Sequence, residues 1–166
     1  MTPVYSIYAT KKPLDRMQEL TVSCAPEATT KLGNWFAKPL FWRPQYALFI
    51  NEETFLPVFA SLAPASSLAN RFPDDLATTL RTHGVQESFI EDELLAMDHV
   101  AISKTSNHRV VGILNELATM ATRMRAYHPD LTPLDLAMNL AQVPLVNSGG
   151  NYLVPEEALR TLVSAP

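Results

Sequence analysis

The stretch from residue 98 to residue 127 constrains the fold most, because a strand, a polar turn and a long helix follow one another there. Val100 and Ile102 alternate with other residues as in a half-buried strand. Beyond the turn, apolar residues recur at the spacing of one helical face. They are Val110, Leu114, Leu117, Ala121 and Met124. We predict a long buried helix at about residues 107–127, the best-buried helix of the chain, which ends before Pro129.

Three polar or small residues interrupt this apolar pattern. Gly112 costs roughly 1 kcal/mol relative to alanine inside a helix. We therefore expect another strand or helix to approach it closely. Asn115 and Glu116, two turns into the helix, are interpreted as a buried polar link to the aromatic hairpin described next or as the far wall of a pocket.

A second strong pattern predicts a β-hairpin at about residues 34–51. Two aromatic-rich runs flank the turn Arg43-Pro44-Gln45, and a short connection favours a hairpin. Both runs are nearly continuous in apolar residues, so the hairpin should be central to the sheet. Further strands are predicted at 3–9 and 152–154, and residues 55–62 are interpreted as a third strand or a short helix. The fold class is α+β, with an antiparallel or mixed sheet of about four or five strands and helices packed mainly on one face.

The remaining helices are expected at 14–20, 73–83, 85–97, 133–142 and from Pro155 onward, with a loop at 21–31. Thr132 and Pro133 form a typical helix start. In the helix after Gly84, the acidic residues are expected to be exposed. These are Glu87, Glu91, Asp92 and Glu93. All four histidines, His83, His99, His108 and His128, lie in or beside predicted turns and are interpreted as surface residues.

Length and composition narrow the class of protein. With 166 residues, the chain is expected to form a single globular domain over residues 1–166. A net charge of −4 argues against a protein dedicated to binding duplex DNA. The single cysteine, Cys24, precludes an internal disulfide and a thiolate metal cluster. Neither a signal peptide nor a membrane-spanning run is recognised, which favours a cytoplasmic location.

One constellation has the chemistry of a binding site. A strand ends and a helix begins between Lys104 and Arg109, where free N–H groups and the positive end of the helix dipole favour an anion. The candidate anion- or partner-binding residues are Lys104, Thr105, Ser106, His108, Arg109 and Asn115. Alternatively, the turn is only a helix cap, with Thr105 or Ser106 as N-cap. In that case Lys104 or Arg109 pairs with Asp98, Glu52 or Glu53.

No known catalytic motif is present, so the sequence predicts no catalytic residue, no metal ligand and no cofactor. Three segments together do resemble a known family. They are LGNWFA at 32–37, ALFINEET at 47–54 and KTSNHRxxGxxNE at 104–116. The chain resembles an uncharacterised family of small bacterial proteins, a domain of unknown function. That family has Asn-Asp where this chain has Asn115-Glu116. The resemblance implies a bacterial, cytoplasmic, stand-alone domain and supplies no activity.

Three functions remain open. The first is a non-enzymatic binding protein that acts through a protein partner. Its origin would be bacterial, with a mobile element as one source. No membrane is expected, and pairing with a second copy through an exposed hairpin edge stays open. The second is an enzyme that holds a phosphate- or carboxylate-bearing substrate at the 104–109 turn, with His108 or Glu116 as acid or base. Whether the chain is an enzyme is thus left open, although the absence of catalytic motifs argues against an enzyme.

The third function is nucleic-acid binding through the same turn, Lys11, Lys12 and the aromatic hairpin, against which the net charge argues. Structure distinguishes the three. A deep pocket containing Lys104, Arg109 and Asn115 would favour the enzyme. An exposed apolar patch that includes Trp35 or Trp42 would favour a protein partner, and a basic stripe would favour nucleic acid.

Overall fold

The computed structural model describes residues 4–9, 28–104, 107–147 and 149–165. The strands are β1 (Val4–Ala9), β2 (Trp35–Leu40), β3 (Tyr46–Asn51), β4 (Pro57–Ser61), β5 (His99–Lys104), β6 (Leu145–Val146) and β7 (Tyr152–Leu153). The helices are α1 (Leu68–Thr82), α2 (Glu87–Ala96), α3 (His108–Tyr127), α4 (Pro133–Leu140) and α5 (Pro155–Ser164), and a 3-10 turn (Ala65–Ser67) precedes α1. The predicted helix at 14–20 and the lysines and cysteine at positions 11, 12 and 24 lie outside the described residues.

The main sheet has five strands in the order β4-β3-β2-β1-β5. Strand β1 runs parallel to both of its neighbours, β2 and β5. The pairs β2–β3 and β3–β4 are antiparallel. The α+β class and the mixed sheet are therefore confirmed, and the predicted hairpin, β2–β3, lies in the interior of the sheet. Its connection spans residues 41–45 and is longer than the three residues predicted.

Helices cover both faces of this sheet. In β2, Trp35 and Ala37 pack into a first core together with α1 and α2, whereas Phe36 and Leu40 pack into a second core with α3 and α4. The prediction that helices pack mainly on one face is therefore wrong. The hairpin strands are apolar on both sides, and a single helical layer would leave one of these sides in water.

Helix α3 has the predicted extent but is buried along one stripe only. Its buried residues are Val110, Ile113, Leu114, Leu117, Ala118 and Ala121. Helix α1 buries seven residues of its fifteen, against six of twenty in α3. The prediction that α3 is the best-buried helix is wrong, because α1 packs against both β4 and α2 while the outer side of α3 faces solvent.

The predicted start of α4 is confirmed in detail. The Asp135 N–H donates to Thr132 Oγ1 at 3.1 Å, and the Thr132 N–H donates to Asp135 Oδ2 at 2.9 Å. This reciprocal pair is a capping box, and Pro133 occupies the first turn. Hydrogen bonds to the Asp135 carboxyl from the backbone N–H and the side chain of Thr132 hold its pKa below the ordinary value.

A buried asparagine joins the segment before β2 to the turn after β3. The Asn51 side chain is inaccessible to solvent, and its Nδ2 donates to the Leu32 carbonyl at 2.7 Å. Its Oδ1 accepts from the N–H groups of Glu53 at 3.1 Å and Thr54 at 3.0 Å. Two of the three segments on which the family resemblance rests, 32–37 and 47–54, therefore meet at this side chain.

Glu93 holds the same segment from the side of α2. Its Oε2 accepts from the Lys31 N–H at 3.0 Å and its Oε1 from the Leu32 N–H at 3.1 Å. Burial raises the pKa of this carboxyl, and the two N–H bonds oppose the rise. The prediction that Glu93 is exposed is wrong. It lies three and four positions after Ile90 and Phe89, on the helix side that packs inward.

Replacing Asn51 by alanine should lower the free energy of unfolding by about 2–4 kcal/mol, because the buried Thr54 N–H and Leu32 carbonyl would lose their partner. Denaturant unfolding measures the change. Asn139→Ala, at an exposed position of α4, is the matched control and should change stability by less than about 0.5 kcal/mol. Equal losses in the two variants would contradict this account of Asn51.

Candidate functional site

The predicted turn lies where the edge strand β5 gives way to α3. Lys104 is the exposed last residue of β5, and α3 begins at His108. Thr105 and Ser106 lie outside the described residues. The N-cap is Asn107, whose Oδ1 accepts from the Val110 N–H at 3.2 Å, so the prediction that Thr105 or Ser106 caps the helix is wrong. Asn is an equally good capping residue, and it stands one position later.

Arg109 makes a structural contact rather than an ion pair. Its Nη2 donates to the Val146 carbonyl at 2.6 Å and so joins α3 to β6. Asp98, predicted as its partner, instead lies 3.1 Å from His99 Nδ1. Within the described ranges, no carboxylate pairs with Arg109 or Lys104.

Asn115 lies apart from the turn. It is six residues beyond Arg109, which is about 9 Å along a helix axis. Its Oδ1 accepts from Lys38 Nζ of β2 at 2.7 Å, at the protein surface. The predicted link between Asn115 and the hairpin thus exists, but it is exposed rather than buried. Arg109 and Asn115 are thus bonded to different elements, β6 and β2.

Gly112 faces open space. A Cβ atom built at this position would meet no other atom within 4 Å among the described residues, and the residue is exposed. Among the residues that the structure describes, no strand or helix makes the predicted close approach. Gly112 belongs to an exposed stripe of α3, here called the α3 stripe, formed by His108, Gly112, Asn115, Thr119 and Arg123.

A groove of about 510 Å³ begins where this stripe meets the hairpin. This β2–α3 groove is lined on the strand side by Lys38, Leu40, Phe41 and Trp42 and on the helix side by Ala118, Thr119, Thr122 and Arg123. Phe41 is 56% exposed. Trp35 and Trp42 are buried, so the exposed aromatic side chain of this surface is Phe41 and neither of the predicted tryptophans.

The floor of the groove is held in place by Trp42. Its Nε1 donates to Thr122 Oγ1 at 3.2 Å. The Arg125 guanidinium lies 4.7 Å from the centre of the Trp42 ring, a distance typical of a cation–π contact. The same guanidinium donates to the Arg43 carbonyl at 2.9 Å. Lys38 and Arg123 therefore line a groove whose aromatic floor is held by Thr122 and Arg125.

One buried histidine, His83, was not predicted from the sequence. The His83 side chain is only 1% exposed, and its Nδ1 lies 3.5 Å from Glu156 Oε1, so its interpretation as a surface residue is wrong. Burial lowers the pKa of His83, an effect that the neighbouring carboxylate of Glu156 opposes. Only the packing of α5 against the end of α1 brings the two residues together, and no local pattern indicates that. His99, His108 and His128 are exposed, as predicted.

Over residues 4–9, 28–104, 107–147 and 149–165, no three His, Cys, Asp or Glu side chains are grouped as metal ligands would be. No helix in the same ranges has the length and apolar character needed to cross a membrane.

Together these features define an α+β protein with a mixed five-stranded sheet, helices on both faces and a cationic groove beside α3. Residues 6–158 match the model of a family described as a domain of unknown function (DUF6933). The chain belongs to this family, which confirms its resemblance to an uncharacterised family. No curated protein and no solved structure matches the chain.

The pKa of His83 predicts a pH dependence of stability. Because the folded-state pKa is below the ordinary value of 6.5, the unfolded chain binds this proton more readily. The free energy of unfolding should therefore fall as the pH drops from 6.5 towards the folded-state pKa. In His83→Gln this part of the pH dependence should disappear, as measured by urea unfolding at several pH values. His128→Gln, at an exposed position, should retain it, and parallel wild-type and His83→Gln curves would contradict the assignment.

Proposed function

We propose that this chain is a non-enzymatic binding protein whose β2–α3 groove binds an acidic segment of a partner protein. One observation carries the proposal: an apolar, aromatic groove rimmed by cations in a chain of net charge −4. An apolar side chain of the partner would pack on the floor near Phe41 and Trp42. Flanking carboxylates of the partner would lie beside Lys38 and Arg123. The family resemblance favours a bacterial, cytoplasmic partner.

Charge supports an acidic occupant. Lys38 and Arg123 line the groove, and the Arg125 guanidinium lies beside the Trp42 ring at its floor. Glu116 is the nearest acidic residue of α3 in sequence, almost two turns before Arg123. Such a local excess of positive charge in an acidic protein attracts carboxylates and repels basic segments, which provides selectivity and speeds association.

The exposed glycine supports a partner that extends along the α3 stripe. A helix glycine costs roughly 1 kcal/mol relative to alanine, and no packing in the described structure offsets this cost at Gly112. A residue without a Cβ allows the main chain of another molecule to approach closely. The partner segment would then run from the groove along Thr119 and Asn115 towards Gly112.

The two alternative functions receive less support from the geometry. For an enzyme, Arg109 and Asn115 would have to converge, but each is bonded to a different element. For nucleic acid, a continuous basic stripe is needed. Arg109 and Arg123 are about 21 Å apart along the helix axis, and Glu116 stands between them in sequence.

A peptide selection tests the proposal. Random linear peptides displayed on phage and selected on the full chain should yield sequences with Asp or Glu flanking Leu or Phe. A synthetic peptide of the selected sequence should bind about tenfold more weakly to Arg123→Glu, because one charge-assisted contact becomes a repulsion. Fluorescence anisotropy of the labelled peptide measures the affinity.

The matched control is Arg81→Glu, which makes the same charge change on α1, beside the other core. Arg81 forms an exposed bidentate pair with Glu87, away from the groove residues, and this variant should bind the peptide as the wild type does. Equal losses in the two variants, or selection of basic peptides, would overturn the proposal. So would single-stranded DNA binding that depends on Arg123, or self-association that Arg123→Glu abolishes.

Gly112→Ala should separate stability from binding. Because the added methyl group meets open space, the free energy of unfolding should rise by up to about 1 kcal/mol. Affinity for the selected peptide should fall, because the methyl group would occupy the surface that the partner approaches. Thermal unfolding and anisotropy measure the two effects, and a stabilised variant with unchanged affinity would show that the partner does not reach Gly112.

A further inference from the structure

A cavity of about 400 Å³ lies between the end of α1 and helix α5. His83 and Gln86 line it from one side, and Glu156, Arg160 and Ser164 line it from the other. Leu159, which also lines the cavity, belongs to the first core, whereas the β2–α3 groove lies beside the second core. The size of the cavity is typical of small-molecule sites, and the proposed partner contact does not use it.

His83 gives this cavity an unpartnered polar group. The side chain is 1% exposed, and neither ring nitrogen has a hydrogen-bond partner among the described residues. The nearest carboxylate oxygen, Glu156 Oε1, is 3.5 Å from Nδ1, which is long for a hydrogen bond. Buried polar atoms in native proteins are nearly always bonded. The His83 ring therefore has unused hydrogen-bonding capacity beside the cavity.

The charges of the lining favour an uncharged ligand. Glu156 Oε1 also lies 3.4 Å from Arg160 Nη2, so one negative and one positive side chain offset each other. Burial lowers the pKa of His83, and the neutral ring offers one donor and one acceptor. An anion would lie against Glu156 and a cation against Arg160, and either would lose hydration without a matching gain.

The rest of the lining is apolar and suits a flat ring. Val85, Leu159 and Val163 complete the cavity wall. We propose that this cavity binds a small uncharged heterocycle with a hydrogen-bond donor and an acceptor on one edge, as in a nucleobase. The donor of the ligand would bond the Glu156 carboxylate, the acceptor would bond the ring N–H of His83, and the heterocycle would pack against the valines.

Titration of three uncharged heterocycles into the full chain tests the proposal. The compounds are adenine, cytosine and nicotinamide, and two-dimensional amide NMR is the readout. At least one compound should bind with a dissociation constant in the millimolar range or below. The amide signals of Gly84, Val85 and Arg160 should shift, whereas those of Thr119 and Arg123 in the β2–α3 groove should not.

Two variants of adjacent residues make the test specific. Glu156→Gln should weaken the ligand about tenfold, because a charge-assisted hydrogen bond is lost. Glu157→Gln makes the same charge change at an exposed position and should leave the affinity unchanged. The proposal is overturned if none of the three compounds binds, if the shifts lie elsewhere, or if the two variants behave alike. Tighter binding of adenosine monophosphate than of adenine would also overturn it, because it would reveal an anion site.

Discussion

The two apolar faces of the central hairpin determine the arrangement of the whole chain. Strands β2 and β3 place large side chains alternately on opposite sides of the sheet, with Trp35 and Phe49 on one side and Phe36 and Leu48 on the other. Burial of apolar surface is the dominant stabilising term in folding. Each side therefore requires its own helical cover. Helices α1, α2 and α5 cover the first core, and α3 and α4 cover the second.

Both candidate sites lie where these covers end. The β2–α3 groove is formed where α3 extends beyond the aromatic residues at the end of β2, and the cavity is formed where α5 meets the end of α1. In each place, polar and charged side chains adjoin a buried apolar core. Contacts between distant segments thereby position residues such as Trp42 and His83. The local sequence alone does not predict those positions.

The sequence predicts the local parts of this structure well. The hairpin, the extent of α3 and the helix start at Thr132 and Pro133 follow from periodicity and from residue preferences over a few positions. Features that depend on distant segments were not predictable in this way. Glu93 is buried because the N–H groups of Lys31 and Leu32 bond it, and His83 is buried because α5 covers it.

The site was predicted less well than the fold, for a related reason. The strand–turn–helix pattern correctly located the start of α3, but it gave no information about where each side chain points. Arg109 reaches the carbonyl of Val146 and Asn115 reaches Lys38, and both partners are remote in sequence. The groove itself combines residues about eighty positions apart, as the bond between Trp42 and Thr122 illustrates.

The separation into two cores also bears on how substitutions combine. Trp35 and Phe36 are neighbours in sequence, yet they contact entirely different sets of helices. Effects of substitutions are additive when the residues share no partners and are coupled when they do. Two substitutions in this protein should therefore be coupled when their side chains lie on the same face of the sheet. Proximity along the chain should matter less. Trp35 should be coupled to Phe72, because their ring centres are 5.0 Å apart. Phe36 should instead be coupled to residues of α3, and substitutions at Trp35 and Phe36 should therefore be additive.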